Sequence, residues 1–279
     1  MNRTLALSAL TLMAGSALAI DFENPPYNGS AGGTLLTGQD GWYLPAVAGS
    51  VDWNVYTYAG NTPGVVAHPT GGGGQFIGGT SGGPTTAARA QRDFAWGAGT
   101  AYSISYDVNH QFLGQLPTAQ NLGSWSLQPS GLTNRTLQDL HVWDDINTAA
   151  SWSVQFNVFD AAGLATNALS PGAAWVGLQL NHWYRIEHIV DFSTNSMLET
   201  SITDLHTNTT NSFSPVGWYA QGGSAPTLPM PTGYRFFAGG NAGNFFAVDN
   251  DNITVVPEPG TFVAIGAGLA LLIARRRRK

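Results

Sequence analysis

Few residues of this 279-residue chain could perform acid–base chemistry. Hydrolysis of a glycosidic bond needs two carboxylates roughly 5 to 10 Å apart, and between the two chain ends the only glutamates are Glu23, Glu187 and Glu199. The best local pair is Glu187 with Asp191. It fits a solvated strand face better, with Glu187 in an ion pair with Arg185. No pair of carboxylates therefore stands out as catalytic.

Nucleophilic and metal-dependent catalysis have no better support. The six histidines show neither His-x-His nor His-Glu-x-x-His spacing, so a zinc site is not predicted. The chain has no cysteine, which removes thiolate chemistry. The Gly-x-Ser-x-Gly spacing of Gly79 to Gly83 lacks the strand-to-helix context of a nucleophile elbow, so it does not mark a nucleophilic serine. His188 falls on the apolar face of a predicted strand and is expected to be a hydrogen-bonded core residue. The sequence thus predicts a protein that is not an enzyme.

Oxygen ligands for a hard cation are more abundant. Asp249 and Asp251 are two residues apart in a predicted strand, so both side chains are expected on one face. Calcium takes roughly six to eight oxygen ligands, but the spacing does not match an EF-hand loop. Asp and Asn also favour turns, because they bond to their own backbone. A calcium site at Asp249 and Asp251 and a purely local role both stay open.

Nine tryptophans give the chain an unusual supply of flat apolar rings. Several of them stand among Gly, Asn, Asp and Tyr, the company expected where a sugar ring stacks on an indole and polar groups bond its hydroxyls. The alternative for each is filling of the core, which is the expected role of Trp152, Trp175 and Trp183. The candidates for glycan stacking are Trp42, Trp53, Trp143 and Trp218, with Trp125 in similar surroundings.

The elements that must position these residues are strands. Apolar and polar residues alternate in Tyr102 to Val108, in Trp152 to Val158 and in Tyr184 to Phe192, the pattern of a strand with one buried face. Ser193-Thr194-Asn195 predicts a hairpin turn into a strand that ends at Asp204. The next strand is expected from Asn208 to near Trp218, and the last strand from Phe245 to Val255. Long loops are expected at Gly71–Gly83 and Gly222–Gly233.

Helical periodicity is nearly absent from the central part of the chain. Many strands without helices predict an all-β fold, a jelly-roll sandwich of two antiparallel sheets. Residues 20–255 are long enough for one such domain to bury a core without disulfides. Once the two ends are excluded, 5 of the 11 basic and 16 of the 17 acidic residues remain, a formal charge of −11. Such a surface repels phosphate backbones, so no nucleic-acid partner is expected.

The first 19 residues have the composition of an export signal. Arg3 supplies a positive start, Leu5 to Ala14 form an apolar helix, and Ala17-Leu18-Ala19 is a small-x-small cleavage site. Signal peptidase is therefore expected to cut between Ala19 and Ile20.

The last residues, 256–279, read as a sorting tail. Pro257, Glu258 and Pro259 keep the chain extended, and the apolar run from Thr261 to Ala274 predicts a short transmembrane helix. A terminal cluster of cations follows and is expected to stop transfer on the cytoplasmic side. These cations are Arg275, Arg276, Arg277 and Arg278, followed by Lys279.

This order of Pro-Glu-Pro, apolar helix and Arg cluster resembles the PEP-CTERM sorting signal of Gram-negative bacteria, a tail also labelled as an ice-binding protein C-terminal segment. The resemblance implies cleavage near Pro257 by an exosortase, a membrane-embedded protease or transpeptidase. It also implies a precursor anchored in the inner membrane and then a protein at the cell surface or outside the cell. A plain membrane anchor is the alternative.

The central domain in turn resembles the concanavalin A-like, lectin-like domains of secreted bacterial proteins. The resemblance is carried by Asp21-Phe22-Glu23, Gly38 to Trp42, Trp183 to Glu187 and Val248-Asp249-Asn250. It implies association with extracellular polysaccharide or the envelope. The alternatives are a structural matrix protein without a small ligand, and a glycan hydrolase or lyase with an unfamiliar site.

Overall fold

The structure is a computed structural model, and it describes residues 18–23, 26–71, 73–96, 99–113, 121–128, 137–143, 151–169, 175–220, 224 and 230–256. These ranges contain strands joined by turns and loops. The strands are β1 (Leu18–Ile20), β2 (Thr34–Leu35), β3 (Trp42–Tyr43), β4 (Ser50–Val51), β5 (Asn54–Thr57), β6 (Gln75–Thr80), β7 (Ala87–Asp93), β8 (Ala101–Phe112), β9 (Asn121–Gln128), β10 (Leu137–Trp143), β11 (Ser151–Phe159), β12 (Ala165–Leu169), β13 (Leu178–Gln179), β14 (Tyr184–Asp191), β15 (Ser196–Asp204), β16 (Thr209–Phe213), β17 (Gly233–Ala238) and β18 (Asn244–Val255).

The strands form two sheets that pack face to face. The first sheet has the order β16-β15-β14-β8-β18-β6-β5-β2, with β1 also paired to β18. The second has the order β12-β11-β10-β9-β17-β7-β3, with β13 beside β11 and β4 beside β7. All pairings between the strands named above are antiparallel except that of β4 with β7. The predicted all-β sandwich of two antiparallel sheets is confirmed.

The alternating segments of the sequence form strands, as predicted, with their apolar residues between the sheets. Tyr106 of β8, Trp152 of β11 and Ile186 of β14 are all fully buried in one hydrophobic cluster. Asn195 turns the chain between β14 and β15 with a positive φ of 59°, a conformation that Asn tolerates better than most residues. The strand after Asn208 is shorter than predicted, because it ends at Phe213 rather than near Trp218.

The glycine-rich stretch Gly71–Gly83 was predicted to be a long loop, and this prediction is wrong. It contains β6, which lies between β5 and β18 inside the first sheet. A Cβ atom at Gly78 would stand 2.2 Å from the ring of Phe245, and one at Gly79 would stand 2.3 Å from the indole of Trp53. The glycines are therefore required because large rings pack directly on the strand backbone. Of the second predicted loop, Gly233 is the first residue of β17.

The predicted signal and transmembrane helices lie outside the described residues, apart from the end of the first. Leu18 to Ile20 are described as β1, which pairs with Ile253 to Asp251 of β18. Within the described ranges, no helix has both the length and the apolar character needed to cross a bilayer.

A hydrogen-bonded polar network lies between the two sheets. Asp139 of β10 accepts a hydrogen bond of 2.7 Å from the Tyr106 hydroxyl and lies 2.8 Å from Nε2 of His188, and both partners belong to the first sheet. The Tyr106 hydroxyl is also 3.1 Å from Nε2 of His141, whose Nδ1 is 2.8 Å from Nε2 of His110. These five residues are called the inter-sheet network. As predicted, His188 is a hydrogen-bonded core residue, and its Nδ1 lies 2.6 Å from the Thr200 hydroxyl.

Burial sets the charge of this network. It lowers the pKa of His110 to about 3, and burial together with neighbouring His110 lowers the pKa of His141 well below its ordinary value. Burial, and next the charge of Asp139, raise the pKa of the Tyr106 hydroxyl. The two histidines and the tyrosine are therefore uncharged in the folded protein at neutral pH.

Replacement of Asp139 by Ala is expected to lower the free energy of unfolding by about 3 to 5 kcal/mol, because Tyr106 and His188 would lose their shared buried acceptor. Urea denaturation followed by tryptophan fluorescence measures the change. Glu199→Ala, which removes a half-exposed carboxylate of β15, is the control and should change stability by less than about 1 kcal/mol. Equal effects of the two variants would contradict a structural role for the network.

Candidate functional site

The predicted stacking tryptophans lie mainly inside the sandwich. Trp42, Trp53 and Trp143 are only 2%, 0% and 4% exposed, and all three belong to the main hydrophobic cluster. The prediction that they present a face to a sugar is therefore wrong. Burial of large rings favours these positions, since a chain without disulfides depends on its core. Trp125 is likewise buried, whereas Trp218 is half-buried at the margin of the cluster.

Asp249 and Asp251 do not face the same way. The pairing of β18 with β8 shifts between Asp249 and Asn252, and Asn250 has a positive φ of 47°. This bulge inserts one residue and reverses the alternation of faces. Asp249 accepts a hydrogen bond of 2.8 Å from Tyr58 on the outer face of the first sheet, whereas Asp251 points into the core towards Tyr234. The two carboxylates therefore do not form a shared calcium site.

Both aspartates have raised pKa values for the same first reason. Burial raises the pKa of Asp249 well above its ordinary value, although the hydrogen bonds from Tyr58 and the Asn250 amide oppose it. Burial raises the pKa of Asp251 to about 7, opposed by Tyr234 and Arg92. Neither oxygen of Asp251 is hydrogen-bonded within the described part of the chain. The cost of a buried, unpartnered charge explains the second shift.

Arg185 pairs with Asp107 of the neighbouring strand, not with Glu187 as predicted. Its Nε and Nη2 donate to the two oxygens of Asp107 at 2.7 and 2.8 Å. Nε2 of His68 lies 3.0 Å from the same carboxylate, and the Asn250 side chain donates to it at 3.1 Å. Glu187 instead accepts a hydrogen bond from Ser103. Asp107 of β8 thus bonds to the loop that carries His68, to β14 through Arg185 and to β18 through Asn250.

The residues predicted for export and sorting are mostly outside the described ranges. Ala17, Pro257, Glu258, Pro259 and the arginines from Arg275 to Arg278 belong to this group. Of the cleavage site, Ala19 is exposed and Ile20 is buried in β1. Cleavage between them stays a prediction.

A row of polar side chains crosses the outer face of the second sheet. The register places six residues of six strands directly opposite one another, each on the face away from the core. Their inward neighbours, such as Trp125 and Phe236, belong to the core. This set is called the polar row, and its members in order are Asn157, Gln138, Ser126, Arg235, Gln91 and Tyr43.

The centre of the polar row is buried although it faces away from the core. Gln138, Ser126, Arg235 and Gln91 are between 0% and 7% exposed. Beside them, a cavity of about 130 Å³ is lined by Val47, Arg89, Ser124, Ser126, Gln128, Arg235 and Phe237. This cavity is called the recess. Its lining combines the apolar Val47 and Phe237 with two arginines, two serines and one glutamine.

Hydrogen bonds satisfy some polar atoms of the polar row and the recess and leave others without a partner in the described ranges. Nε and Nη2 of Arg235 both donate to Oε1 of Gln91, the first at 2.8 Å, and the Gln128 amide donates to Ser126 at 2.8 Å. Three buried atoms have no hydrogen-bond partner within the described part of the chain: Nε2 of Gln91, Oε1 of Gln128 and Oδ1 of Asn157. Buried polar atoms are normally satisfied, so these atoms suit a ligand that both donates and accepts hydrogen bonds.

A second depression lies on the outer face of the first sheet. It has a volume of about 190 Å³ and is lined by residues of β1, β8, β14 and β18, among them Ser105, Arg185 and Asn250. Two of these side chains are already engaged by Asp107. In the described ranges no group of three or more His, Asp or Glu residues is arranged to hold a metal ion.

The sequence did not predict the polar row, because β7, β9, β10 and β17 were not recognised as strands. The signal that could have revealed it is alternation, as in Ala88-Arg89-Ala90-Gln91, where small apolar residues face inward and polar ones outward.

Comparison with known proteins identifies the end of the chain. Residues 255–279 match the PEP-CTERM protein-sorting motif. The tail is a PEP-CTERM sorting signal. The protein is therefore exported, starts as a membrane-anchored precursor and is processed by an exosortase. No curated protein matches the chain in sequence.

Several solved structures resemble the chain at low identity. Lectin II from Ulex europaeus is 10% identical with a TM-score of 0.48, over 86% of this chain and 98% of that one. Peanut lectin is also 10% identical with a TM-score of 0.48, over 88% and 99%. A sialidase is 7% identical with a TM-score of 0.38, and the match spans 82% of this chain but 19% of the sialidase. Function must therefore be inferred from the residues of this chain.

Replacement of Asp251 by Asn is expected to stabilise the protein at about pH 8 and to have little effect near pH 4. The folded pKa of about 7 lies above the ordinary 3.8, so the stability contributed by the protonated carboxyl is fully present below pH 3.8 and is lost as the pH rises through 7. Urea denaturation gives the free energy of unfolding of both proteins. The difference between the variant and the wild type should grow by about 2 to 4 kcal/mol from pH 4 to pH 8. A difference that does not change with pH would contradict the burial of an unpartnered carboxylate.

Proposed function

We propose that this protein is an exported, non-enzymatic saccharide-binding protein, and that the polar row is its contact surface for the ligand. One observation carries the proposal. Three buried amide atoms on the outer face of one sheet have no hydrogen-bond partner in the described part of the chain. They are a donor on Gln91 and an acceptor on Asn157 in the polar row, and an acceptor on Gln128 in the lining of the recess. A site with this chemistry suits a ligand that is rich in hydroxyl groups.

The chemistry of hydroxyl groups matches these atoms. Each sugar hydroxyl can donate one hydrogen bond and accept others, so one ring can satisfy the Gln91 donor and the Gln128 acceptor together. A buried polar atom that gains a partner recovers the free energy lost when it was removed from water. A ligand that lacks the hydroxyl leaves the atom unpaired and is rejected. Specificity for a sugar therefore follows from the same atoms that supply affinity.

The shape of the polar row suits a chain of sugars better than a single one. The row runs across six strands, and neighbouring strands lie about 4.8 Å apart, so it extends for roughly 24 Å. At one end, half-buried Tyr43 donates a hydrogen bond of 2.9 Å to Asp93 and adds an aromatic ring. A row of this length matches several successive units of a polysaccharide, and its half-buried ends at Asn157 and Tyr43 are the parts of the row that solvent reaches most.

Export supports an extracellular polysaccharide as the partner. After signal peptidase and an exosortase have removed the two ends, the domain would reach the cell surface or the medium of a Gram-negative bacterium. There it would associate with exopolysaccharide or the envelope. A formal charge of −11 for the central domain disfavours binding to nucleic acid in the same compartment.

Non-enzymatic binding is favoured over hydrolysis because the described lining of the recess contains no carboxylate. A glycosidase needs two. The matrix-protein alternative does not account for amide atoms that have no partner in the described ranges, since a purely structural surface gains nothing by leaving them unsatisfied.

Asn157→Ala and Gln128→Ala are each expected to weaken polysaccharide binding about three- to tenfold, because each removes an acceptor worth roughly 0.5 to 1.5 kcal/mol. Isothermal titration calorimetry of the full-length protein with exopolysaccharide of the native host measures this effect. Asn211→Ala, which removes an exposed amide on β16 of the other sheet, is the matched control and should bind like the wild type. Unchanged binding in all three variants would show that the ligand binds elsewhere, and no heat with wild type would favour the matrix-protein alternative.

Sorting can be tested separately from binding. The form released from cells is expected to begin at Ile20 and to end close to Pro257, because both ends are removed during export. Intact-mass spectrometry of the released protein gives both termini. A mass that retains the four terminal arginines would contradict processing by an exosortase.

A further inference from the structure

A buried carboxylate lies beside the residue at which the mature chain is expected to begin. Asp251 is 2% exposed, and neither of its oxygens accepts a hydrogen bond within the described part of the chain. The pairing of β1 with β18 places Ile20 directly opposite Asp251. Signal peptidase is expected to cut between Ala19 and Ile20, so Ile20 becomes the first residue of the mature chain. A new chain end and an unpartnered acid are therefore neighbours across one strand pair.

The nearest cation belongs to another acid. Arg92 of β7 contacts the carboxylate of Asp40 through Nη2 at 2.8 Å and donates from Nε to the Asp40 carbonyl oxygen at 2.7 Å. Its third nitrogen, Nη1, bonds to neither oxygen of Asp251. Arg92 lowers the pKa of Asp251, but burial outweighs this effect and raises the pKa to about 7. In the unprocessed chain, Asp251 thus has no cation in contact with it among the described residues.

The other titratable groups around Asp251 carry no positive charge. Burial raises the pKa of the Tyr234 hydroxyl on β17 and of the Tyr106 hydroxyl on β8, so both are neutral. Tyr106 donates its proton to Asp139. Asp107 of β8 is an acid and raises the pKa of Asp251 further. A cation that reaches Asp251 must therefore come from a group that the unprocessed chain does not yet have.

Removal of the signal peptide changes the nitrogen of Ile20. Within the unprocessed chain this nitrogen is a neutral amide with one N–H. At the start of the mature chain it is an ammonium group with a positive charge and three N–H donors. Opposite residues of an antiparallel pair have Cα atoms about 4.5 to 5.5 Å apart, and the nitrogen is one bond from the Ile20 Cα. One donor can therefore point at Asp251 while the others bond to water or backbone.

The surroundings of Ile20 suit a charged chain end. Ile20 and Asp251 both line the depression of about 190 Å³ on the first sheet, together with exposed Ala19. Loss of Ala19 leaves the nitrogen in contact with this depression, so the ammonium group keeps part of its hydration. The Ile20 side chain is 5% exposed and belongs to the main hydrophobic cluster. Because packing already fixes the chain end, an ion pair formed there loses little conformational entropy.

We propose that Asp251 is the internal binding site of the mature N-terminus, and that its carboxylate forms an ion pair with the α-ammonium group of Ile20. Cleavage by signal peptidase then supplies the positive charge that the folded domain lacks at this position. The stabilisation predicted above for Asp251→Asn at about pH 8 applies to the chain that keeps Ala19. In the mature protein the effect of this replacement reverses, because it removes one partner of a buried pair.

The chain offers a selective chemical probe of this ion pair. Its only lysine is Lys279, which leaves with the sorting tail, so the α-amino group of Ile20 is the one primary amine of the released protein. Acetic anhydride acetylates only the unprotonated amine, and mass spectrometry measures the rate. At pH 7 the released wild-type protein is expected to react about tenfold more slowly than Asp251→Asn, because one pKa unit changes the unprotonated fraction tenfold. Asp21→Asn removes an exposed carboxylate of the same depression. It is the matched control and should change the rate much less.

Stability provides an independent measure. Complete acetylation removes the charge of the N-terminus. It should lower the urea midpoint of the wild-type protein and leave that of Asp251→Asn unchanged, which is the behaviour of two groups that interact directly.

The pH profile of the acetylation rate decides the question if Asp251→Asn does not fold by circular dichroism. An ion pair displaces the profile of the folded wild-type protein to higher pH than that of the urea-unfolded chain. Burial of the amine without a partner displaces it to lower pH.

Several results would overturn the proposal. Equal acetylation rates for the wild type and Asp251→Asn would do so, as would a profile displaced to lower pH. An effect of Asp21→Asn as large as that of Asp251→Asn would assign the ion pair to the wrong carboxylate. A released protein whose mass shows a first residue other than Ile20 would remove its basis. None of these measurements involves a saccharide, so the proposed function is tested separately.

Discussion

The buried carboxyl of Asp139 joins the two sheets, and the outer surface depends on the register that it sets. Its partners Tyr106 and His188 belong to the first sheet, while Asp139 itself belongs to the second. Successive residues of a strand point to opposite faces, so an inward Asp139 requires an outward Gln138, and a shift by one residue would reverse both. Gln138 in turn lies opposite Ser126 and Asn157. The polar row is thus the outer counterpart of the interior network.

The space between the sheets is filled with aromatic rings, including most of the described tryptophans. A chain without cysteine must obtain its stability from packing, and large rings bury the most area per residue. Trp42 stacks on Phe236 at 5.9 Å, and Trp53 packs against Phe236 and Phe246 at 5.5 and 5.3 Å. Rings used in this way are not available to a ligand. Recognition is therefore left to amides, hydroxyls and arginines on the outer face.

The sequence was sufficient to predict the strands with strict alternation and the architecture that they imply. Four strands that carry the polar row, β7, β9, β10 and β17, escaped prediction, because Gly123, Gly233 and small residues such as Ala88 weaken the contrast between their faces. The bulge at Asn250 could not be foreseen, since alternation across Asp249 and Asp251 looks continuous in the sequence. The pairing of Arg185 with Asp107 depends on which strands are neighbours, and that is decided by long-range topology. The local sequence pattern thus predicts which face of a strand is buried. The side chains that meet at a site depend on the register between strands that are distant in the sequence.

The most direct test of saccharide binding at the polar row is an NMR titration of side-chain amide signals in the full-length protein with exopolysaccharide of the native host. The account predicts that the signals of Gln91, Gln128 and Asn157 shift together and saturate, while that of Asn211 on the other sheet stays in place. Saturable shifts confined to the first sheet, around Asn250 and Arg185, would contradict the assignment of the polar row as the ligand-binding surface.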